Sequence, residues 1–411
     1  MSIIKDLISP YRGMPKEIYI IFISRIVNAI GCFVMPLMTI IMTDKIGLSN
    51  ENAGFFLSLN SMVYPVASII GGKLADTYGR KKLIIIFGTL GALLYTYCGF
   101  IEPSMQLIYV ILAASTIMYV AGPAHDSLIA DLTTPENRAR AYSLSYLGWN
   151  IGFAVGPIFG GFLYRRYLPI VFIGDAITAL MAIGLIYFFV NETIDRTKNE
   201  ITDESRKLER REEGSIISVL LKRPILVYFS IIALGYEFSY SQWNFLMPLH
   251  SIKNFGEMGA QYFGWMASFN GLVVILFTPI LTKLTRKTRS IRSMVHGILL
   301  YAAGFGMLGL ISKLPFFFIS CFVFTLGEVL LTISVMPFIV NHTPSSHRGR
   351  MSAVLTTITG TGYAVGPMAM GKILNFTSIE DAWIFIGVLT SITAVMMLGL
   401  EKYEGHLDAT K

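Results

Sequence analysis

Long apolar runs alternate with short polar intervals along the whole chain, centred on residues 18–43, 52–72, 83–101, 106–130, 140–164, 168–190, 224–249, 259–282, 291–312, 314–340, 350–374 and 379–400. Each run is about 20 or more residues long, enough at roughly 1.5 Å per residue to cross about 30 Å of hydrocarbon. The pattern predicts twelve transmembrane helices and an all-α membrane protein. A transmembrane barrel would instead alternate apolar and polar residues in segments of about ten. The longest polar interval, 191–222, mixes acids and bases as a solvated linker does and predicts a surface helix near 203–213. It separates a six-helix bundle over 1–190 from a second over 223–411.

Composition agrees: 54% of the residues are hydrophobic and only 14% charged, too apolar a balance for water to surround most of the chain. Alternating the loops puts about 26 of the 33 Lys and Arg on the side of both termini, which the positive-inside bias makes cytoplasmic. The same bias accounts for the net charge of +7 without a nucleic-acid partner. The first apolar run is too long for a signal peptide and is expected to remain as the first helix. Cys32, Cys98 and Cys321 fall within predicted spans with no CxxC spacing, so neither a metal site nor a disulfide framework is expected. No phosphate-cradling loop, GxSxG elbow or HExxH is present. The chain is therefore expected to use no cofactor, to be no enzyme, and to draw energy from a gradient.

The two halves repeat at an offset of 210 residues. Ala154-Val155-Gly156-Pro157 recurs as Ala364-Val365-Gly366-Pro367, and Gly152, Gly161, Arg138 and Arg140 meet Gly362, Gly371, Arg348 and Arg350. Parallel repeats of this kind occur in transporters whose substrate lies near the midplane between halves.

Residues 71–82, Gly-Gly-Lys-Leu-Ala-Asp-Thr-Tyr-Gly-Arg-Lys-Lys, resemble the loop between helices 2 and 3 of the major facilitator superfamily at Gly72, Leu74, Asp76, Gly79, Arg80 and Lys81. That resemblance implies a conformational latch in which Asp76 pairs with neighbouring basic groups. The second-half copy, Lys283-Leu284-Thr285-Arg286-Lys287, carries Arg286 in place of the acid, so the latch is expected to be one-sided. Gly148, Gly152, Gly156, Pro157, Gly160 and Gly161 form a small-residue ridge that lets helices approach closely, and the proline loosens the backbone ladder. The set resembles the fifth-helix antiporter motif of the drug:proton antiporters, which favours efflux. Many such antiporters carry an arginine four residues before a glycine in the fourth helix, where this chain has Met118 before Gly122. The departure favours carboxylates in the second half, as in the drug:proton antiporter-1 branch.

A charge at a helix centre costs about 2.5–3.5 kcal/mol on insertion scales, so one that is kept usually faces a cavity or a partner. Glu237 and Glu328, in the seventh and tenth spans, are the leading candidates for proton and substrate binding. Asp126 in the fourth span and Arg25 in the first are candidates too, either as ligands or as partners of each other. Asp131 is expected to hold Arg138 or Arg140 in a gate network, and Asp175 ranks lower. Tyr119, Tyr236, Tyr240, Trp243, Asn150 and Asn270 are expected to line the cavity, where aromatic faces beside an acid suit a lipophilic cation.

Together with the resemblance, these features imply a multi-pass cell-membrane transporter, expected to be monomeric, to work on a small-molecule substrate and protons, and to export amphipathic or cationic compounds by alternating access. A carrier of a sugar, an amino acid or a lipid-linked glycan would use the same acids and Arg25 as polar ligands. A membrane sensor without transport is a third reading, against which the intact latch loop argues.

Overall fold

The computed structural model describes residues 11–194, 220, 223–343 and 348–409, and among them every regular element is helical. The linker helix expected near 203–213 lies outside the described residues.

Among the described residues, ten stretches are long and apolar enough to cross a membrane. One of them, Pro224–Thr285, contains two helices, Pro224–Phe255 and Gly259–Thr285. With Arg348–Ile373, the described residues hold the twelve spans that the hydrophobic pattern predicts. The others are Asn50–Tyr78, Arg80–Cys98, Met105–Asp131, Leu168–Phe189, Ser290–Met307, Leu314–Asn341, Ile379–Ala409 and two broken spans, the first and the fifth.

The first span consists of Lys16–Ile30 and Val34–Ile40, followed by a π turn over Ile41–Lys45. At the break, Asp175 Oδ2 accepts a hydrogen bond from the Val34 amide at 3.2 Å, and the same carboxylate accepts from Phe33. The Val34 amide, which the helix interruption leaves without a carbonyl partner, thereby gains an acceptor inside the bilayer, where an unpaired donor is costly, whereas the Phe33 amide also donates to the Gly31 carbonyl at 2.6 Å. The fifth span consists of Pro135–Phe153 and Gly156–Arg166. It opens with a capping box between Thr134 and Asn137, with Pro135 at its first turn. It breaks just ahead of Gly156-Pro157, whereas the eleventh span runs unbroken through Pro367. The two copies of the repeat thus share a sequence but not a backbone.

Packing divides the chain into two compact units. One is Met1–Ile41, Val63–Ser205 and Ala260–Gly271; the other is Met42–Met62, Arg206–Gly259 and Leu272–Lys411. In the first, Ser24 donates to the Ala182 carbonyl at 3.0 Å, tying the first span to the sixth. In the second, Thr390 donates to Ser239 at 2.7 Å, tying the twelfth to the seventh.

Candidate functional site

Glu237 and Glu328 both belong to the second unit, on the seventh and tenth spans. The Tyr240 hydroxyl hydrogen-bonds Glu328, and the Tyr240 ring stacks on Tyr301 with centroids 5.6 Å apart and planes within 6°. Tyr240 also meets Tyr363 at 6.3 Å, and Tyr363 is fixed by a 2.7 Å hydrogen bond from Asn244. Three tyrosines and an asparagine from the seventh, ninth and eleventh spans therefore gather around one carboxylate of the tenth. Tyr236 lies beside Glu237 one residue earlier on the seventh span.

Trp243 is placed differently: it is 3% exposed and packs on Phe324 with centroids 4.9 Å apart, so it belongs to the core behind this cluster. Sequence reasoning missed Tyr301, Tyr363 and Asn244. Tyr363 follows Gly362 of the repeated glycine motif, but nothing local distinguished Tyr301 among 20 tyrosines.

In the first unit, Arg25 and Asp126 do meet, with Nη2 and Oδ1 3.7 Å apart; the Asp126 side chain is 65% exposed and that of Arg25 24%. Tyr142 donates to the Asp126 main-chain carbonyl at 2.9 Å. Tyr119 packs edge-on against Tyr64 at 5.1 Å, Asn150 donates back to the Tyr146 carbonyl, and Asn270 is buried.

The expected loop over 71–82 is helical except for Gly79, the single residue between the second and third spans, and this junction is held by a cluster centred on Arg80. Its side chain is 8% exposed, with Nε 2.9 Å from Asp131 and Nη2 3.2 Å from Asp76, while Nη1 donates to the Ala75 carbonyl. A buried ion left without its partner costs about 3–5 kcal/mol, so the Arg80–Asp131 pair is energetically significant, unlike the contact to Asp76, whose side chain is 71% exposed. Asp131 pairs with Arg80 and accepts from Thr193 at 2.7 Å. Of Arg138 and Arg140, the two partners expected for it, Arg138 donates instead to the carbonyls of Ala130 and Thr133, just ahead of the fifth span. Lys81 Nζ lies 5.4 Å from the centre of the Tyr187 ring. A Cβ at Gly72 would have no neighbour within 4 Å beyond its own helix.

Glu192 completes this cluster and was not singled out in the sequence. Its carboxylate accepts from the amides of Arg80 at 2.9 Å and Lys82 at 3.2 Å, capping the N-terminus of the third span. Burial alone would raise its pKa, but the amides of Lys82, Thr193, Lys81 and Arg80 together outweigh it and hold the carboxyl below its ordinary value. Gly79 has φ of +108°, and a Cβ there would come within 2.5 Å of Glu192 Oε2. Both the backbone angle and the bound carboxylate therefore require glycine at position 79.

The glycine ridge of the fifth span packs on the first. A Cβ at Gly152 would lie 2.6 Å from that of Ala29, one at Gly156 would lie 2.6 Å from the Ile30 carbonyl, and one at Gly160 would touch Phe33 at 3.3 Å. Gly161 instead meets the Ala260 carbonyl at the start of the eighth span, and the Pro157 carbonyl lies against Gly264. The second-half copies make matching contacts: Gly362 packs on Leu234 of the seventh span, and Gly371 meets Asn50 at the start of the second.

Comparison with known proteins agrees with this architecture. The Major Facilitator Superfamily profile matches residues 20–292 and 257–409. The chain is 25% identical over 403 residues to multidrug resistance protein 2 of Bacillus subtilis (strain 168), covering 94% of each. It is 23% identical over 363 residues to a Na(+), Li(+), K(+)/H(+) antiporter of Planococcus maritimus, covering 82% of this chain and 84% of that one. Among solved structures, the peptide transporter POT in complex with sulfate superposes with a TM-score of 0.77 at 16% identity over 96% of both chains, a likeness of fold. Twelve spans, an internal repeat, an Arg80-centred loop and a profile match over nearly the full length lead to one assignment: the chain is a transporter that belongs to the Major Facilitator Superfamily.

Proposed function

We propose that this transporter exports amphipathic cations in exchange for protons across the cell membrane, with both termini in the cytoplasm and the protein acting as a monomer. One observation carries the reading. Glu328 is hydrogen-bonded to Tyr240, whose ring is stacked on Tyr301 and flanked by Tyr363. A carboxylate surrounded by aromatic faces attracts an organic cation by charge and by the ring quadrupoles, and the same carboxyl can carry a proton when the cation leaves. The similarity to a multidrug resistance protein supports the same direction.

Glu237 is the second exchanging acid in this reading. Arg25 and Asp126 form an ion pair that adjusts the first half. Gly72, Asp76, Gly79, Arg80, Lys81, Asp131 and Arg138 form the latch, with Glu192 as its cap. Gly152, Gly156 and Gly160 provide the close helix contact along which the first and fifth spans move, and Pro157 and Gly161 the contact of the fifth with the eighth. The polypeptide works as two bundles, 1–190 and 223–411, joined by the linker 191–222.

The test is ethidium efflux from proteoliposomes with and without an imposed proton gradient, comparing wild type with Glu328→Gln and Glu237→Gln. Gradient-driven efflux that collapses in Glu328→Gln supports the assignment. Wild-type protein that moves no cationic dye removes the drug reading.

A second reading, exchange of alkali cations for protons, is favoured by the relative from Planococcus maritimus. Proton release from the same vesicles on addition of Na(+) or K(+), without any dye, would select it.

A further inference from the structure

Within the first unit, a cavity of about 160 Å³ lies among the first, third, fourth and sixth spans, with the polar side chains of Ser24, Arg25, Asn28 and His125 in its wall. Gly88, Met118, Gly122 and Ile183 form the apolar side, and the absence of a side chain at Gly122, where a Cβ would have no neighbour within 4 Å, leaves room. We propose that this cavity binds a small monovalent anion, chloride or the head of a short carboxylate. The residues of its wall all belong to the first unit, whereas the acid and tyrosine cluster belongs to the other.

The donor inventory carries the argument. A guanidinium has five N–H donors and no acceptor. Among the described residues that of Arg25 makes no hydrogen bond, and its nearest acid is Asp126, at 3.7 Å and turned mostly outward. The Asn28 amide and the His125 ring likewise make no side-chain hydrogen bond among the described residues, although both face the cavity. Ser24 uses its hydroxyl hydrogen on the Ala182 carbonyl. Three groups that can donate therefore converge on one space inside a membrane-spanning bundle, where an unmet donor is expensive.

Size and charge restrict the ligand. Pockets for drug-sized molecules run to roughly 300–1,000 Å³, well above this one. A metal cation would face the Arg25 charge, and among the described residues no cluster of three His, Cys, Asp or Glu could hold one. A small anion meets the guanidinium, the amide and the imidazole N–H together, while the apolar wall accommodates the rest of its surface. It competes with Asp126 for Arg25, so neutralising Asp126 strengthens binding.

The experiment follows thermal unfolding of the purified full-length protein as sodium gluconate is replaced by sodium chloride or sodium acetate at constant ionic strength. The midpoint is expected to rise and saturate with chloride, acetate or both, the responding salt identifying halide or carboxylate as the preferred anion. Arg25→Gln should abolish the response and Asp126→Asn should lower the half-saturating concentration about tenfold. Gly122→Val provides a variant that leaves every charge in place: a Cβ at Gly122 has no neighbour within 4 Å, so the added side chain enters the cavity without a clash and should weaken the response at least tenfold. A wild-type midpoint indifferent to both anions, or a response unchanged in Arg25→Gln and Gly122→Val, overturns the proposal.

Discussion

The main-chain carbonyl of Pro367 lies directly against Gly54, so close that a Cβ at position 54 would overlap it. Pro157, 210 residues before Pro367, makes the same contact with Gly264, 210 residues after Gly54. Each contact falls within one compact unit, and each joins spans drawn from opposite halves of the sequence. Nearby, Ser58 accepts a hydrogen bond from the Met368 amide at 2.9 Å and is 1% exposed.

Gly54→Val is therefore expected to hold the second and eleventh spans apart. Transport should fall at least tenfold, and a cysteine placed at Ser58 should become accessible to a maleimide reagent in the Gly54→Val background. Equal labelling with and without the valine would show that the close approach is not what shields position 58.

Glu192→Gln is expected to lower stability by about 1 kcal/mol, the usual scale for a helix cap, seen as a lower unfolding midpoint. The sign of the pH dependence follows from the depressed carboxyl. Its stabilising contribution is complete above the ordinary glutamate value of 4.5 and is lost as the pH falls through the lower native value. The midpoint difference between wild type and variant should be constant from neutral pH down to that region and shrink below it. A difference that widened on acidification would contradict the capping role.

Asp175→Ala removes the acceptor at the break in the first span and leaves the Val34 amide unpaired inside the bilayer, while Phe33 keeps its bond to the Gly31 carbonyl. A loss of about 1–3 kcal/mol is expected, with Asp175→Asn recovering most of it because its amide oxygen can still accept. Amide hydrogen exchange at Phe33 and Val34 reads the effect locally; unchanged protection in Asp175→Ala would exclude the cap.

Tyr301→Leu keeps a smaller apolar side chain but removes the ring stacked on Tyr240. For a cationic dye the half-saturating concentration should rise about 5- to 30-fold, the equivalent of roughly 1–2 kcal/mol of cation–π and stacking interaction. A neutral substrate of similar size should lose much less, and equal losses for both would mean that the tyrosine acts only as packing.

Lys253 and Glu380 form an ion pair at 2.5 Å, with side chains 47% and 35% exposed. Lys253→Ala should change stability by no more than about 1 kcal/mol, because water screens an exposed pair. A larger loss would mean that the pair secures the seventh span to the twelfth.

The residues around Arg80 show how far local reasoning reaches. Gly79 and Asp76 stand out because a short basic loop between two apolar runs has little reason to contain them, and Gly79 indeed adopts a left-handed φ. Glu192 does not stand out, because it begins a long interval of mixed charges and is 112 residues from the amide it caps. Asp131 was readable as a gate residue, but its partner proved to be Arg80, which arrives from another span. In the second half, Glu328 is conspicuous as a lone acid in an apolar run, whereas the Tyr301 that completes its surroundings looks like any other tyrosine of the ninth span.

The sequence by itself determined the twelve spans, the internal repeat and the positions where helices must touch closely. Those depend on apolar run length, spacing along a helix and the lack of a side chain at glycine, all of which are properties of neighbouring residues. Only the tertiary structure decided where the first and fifth spans break, which acid caps which amide, and which aromatic rings surround Glu328. Those outcomes depend on groups tens to more than a hundred residues apart competing for the same few donors and the same buried space, and no local pattern records who wins.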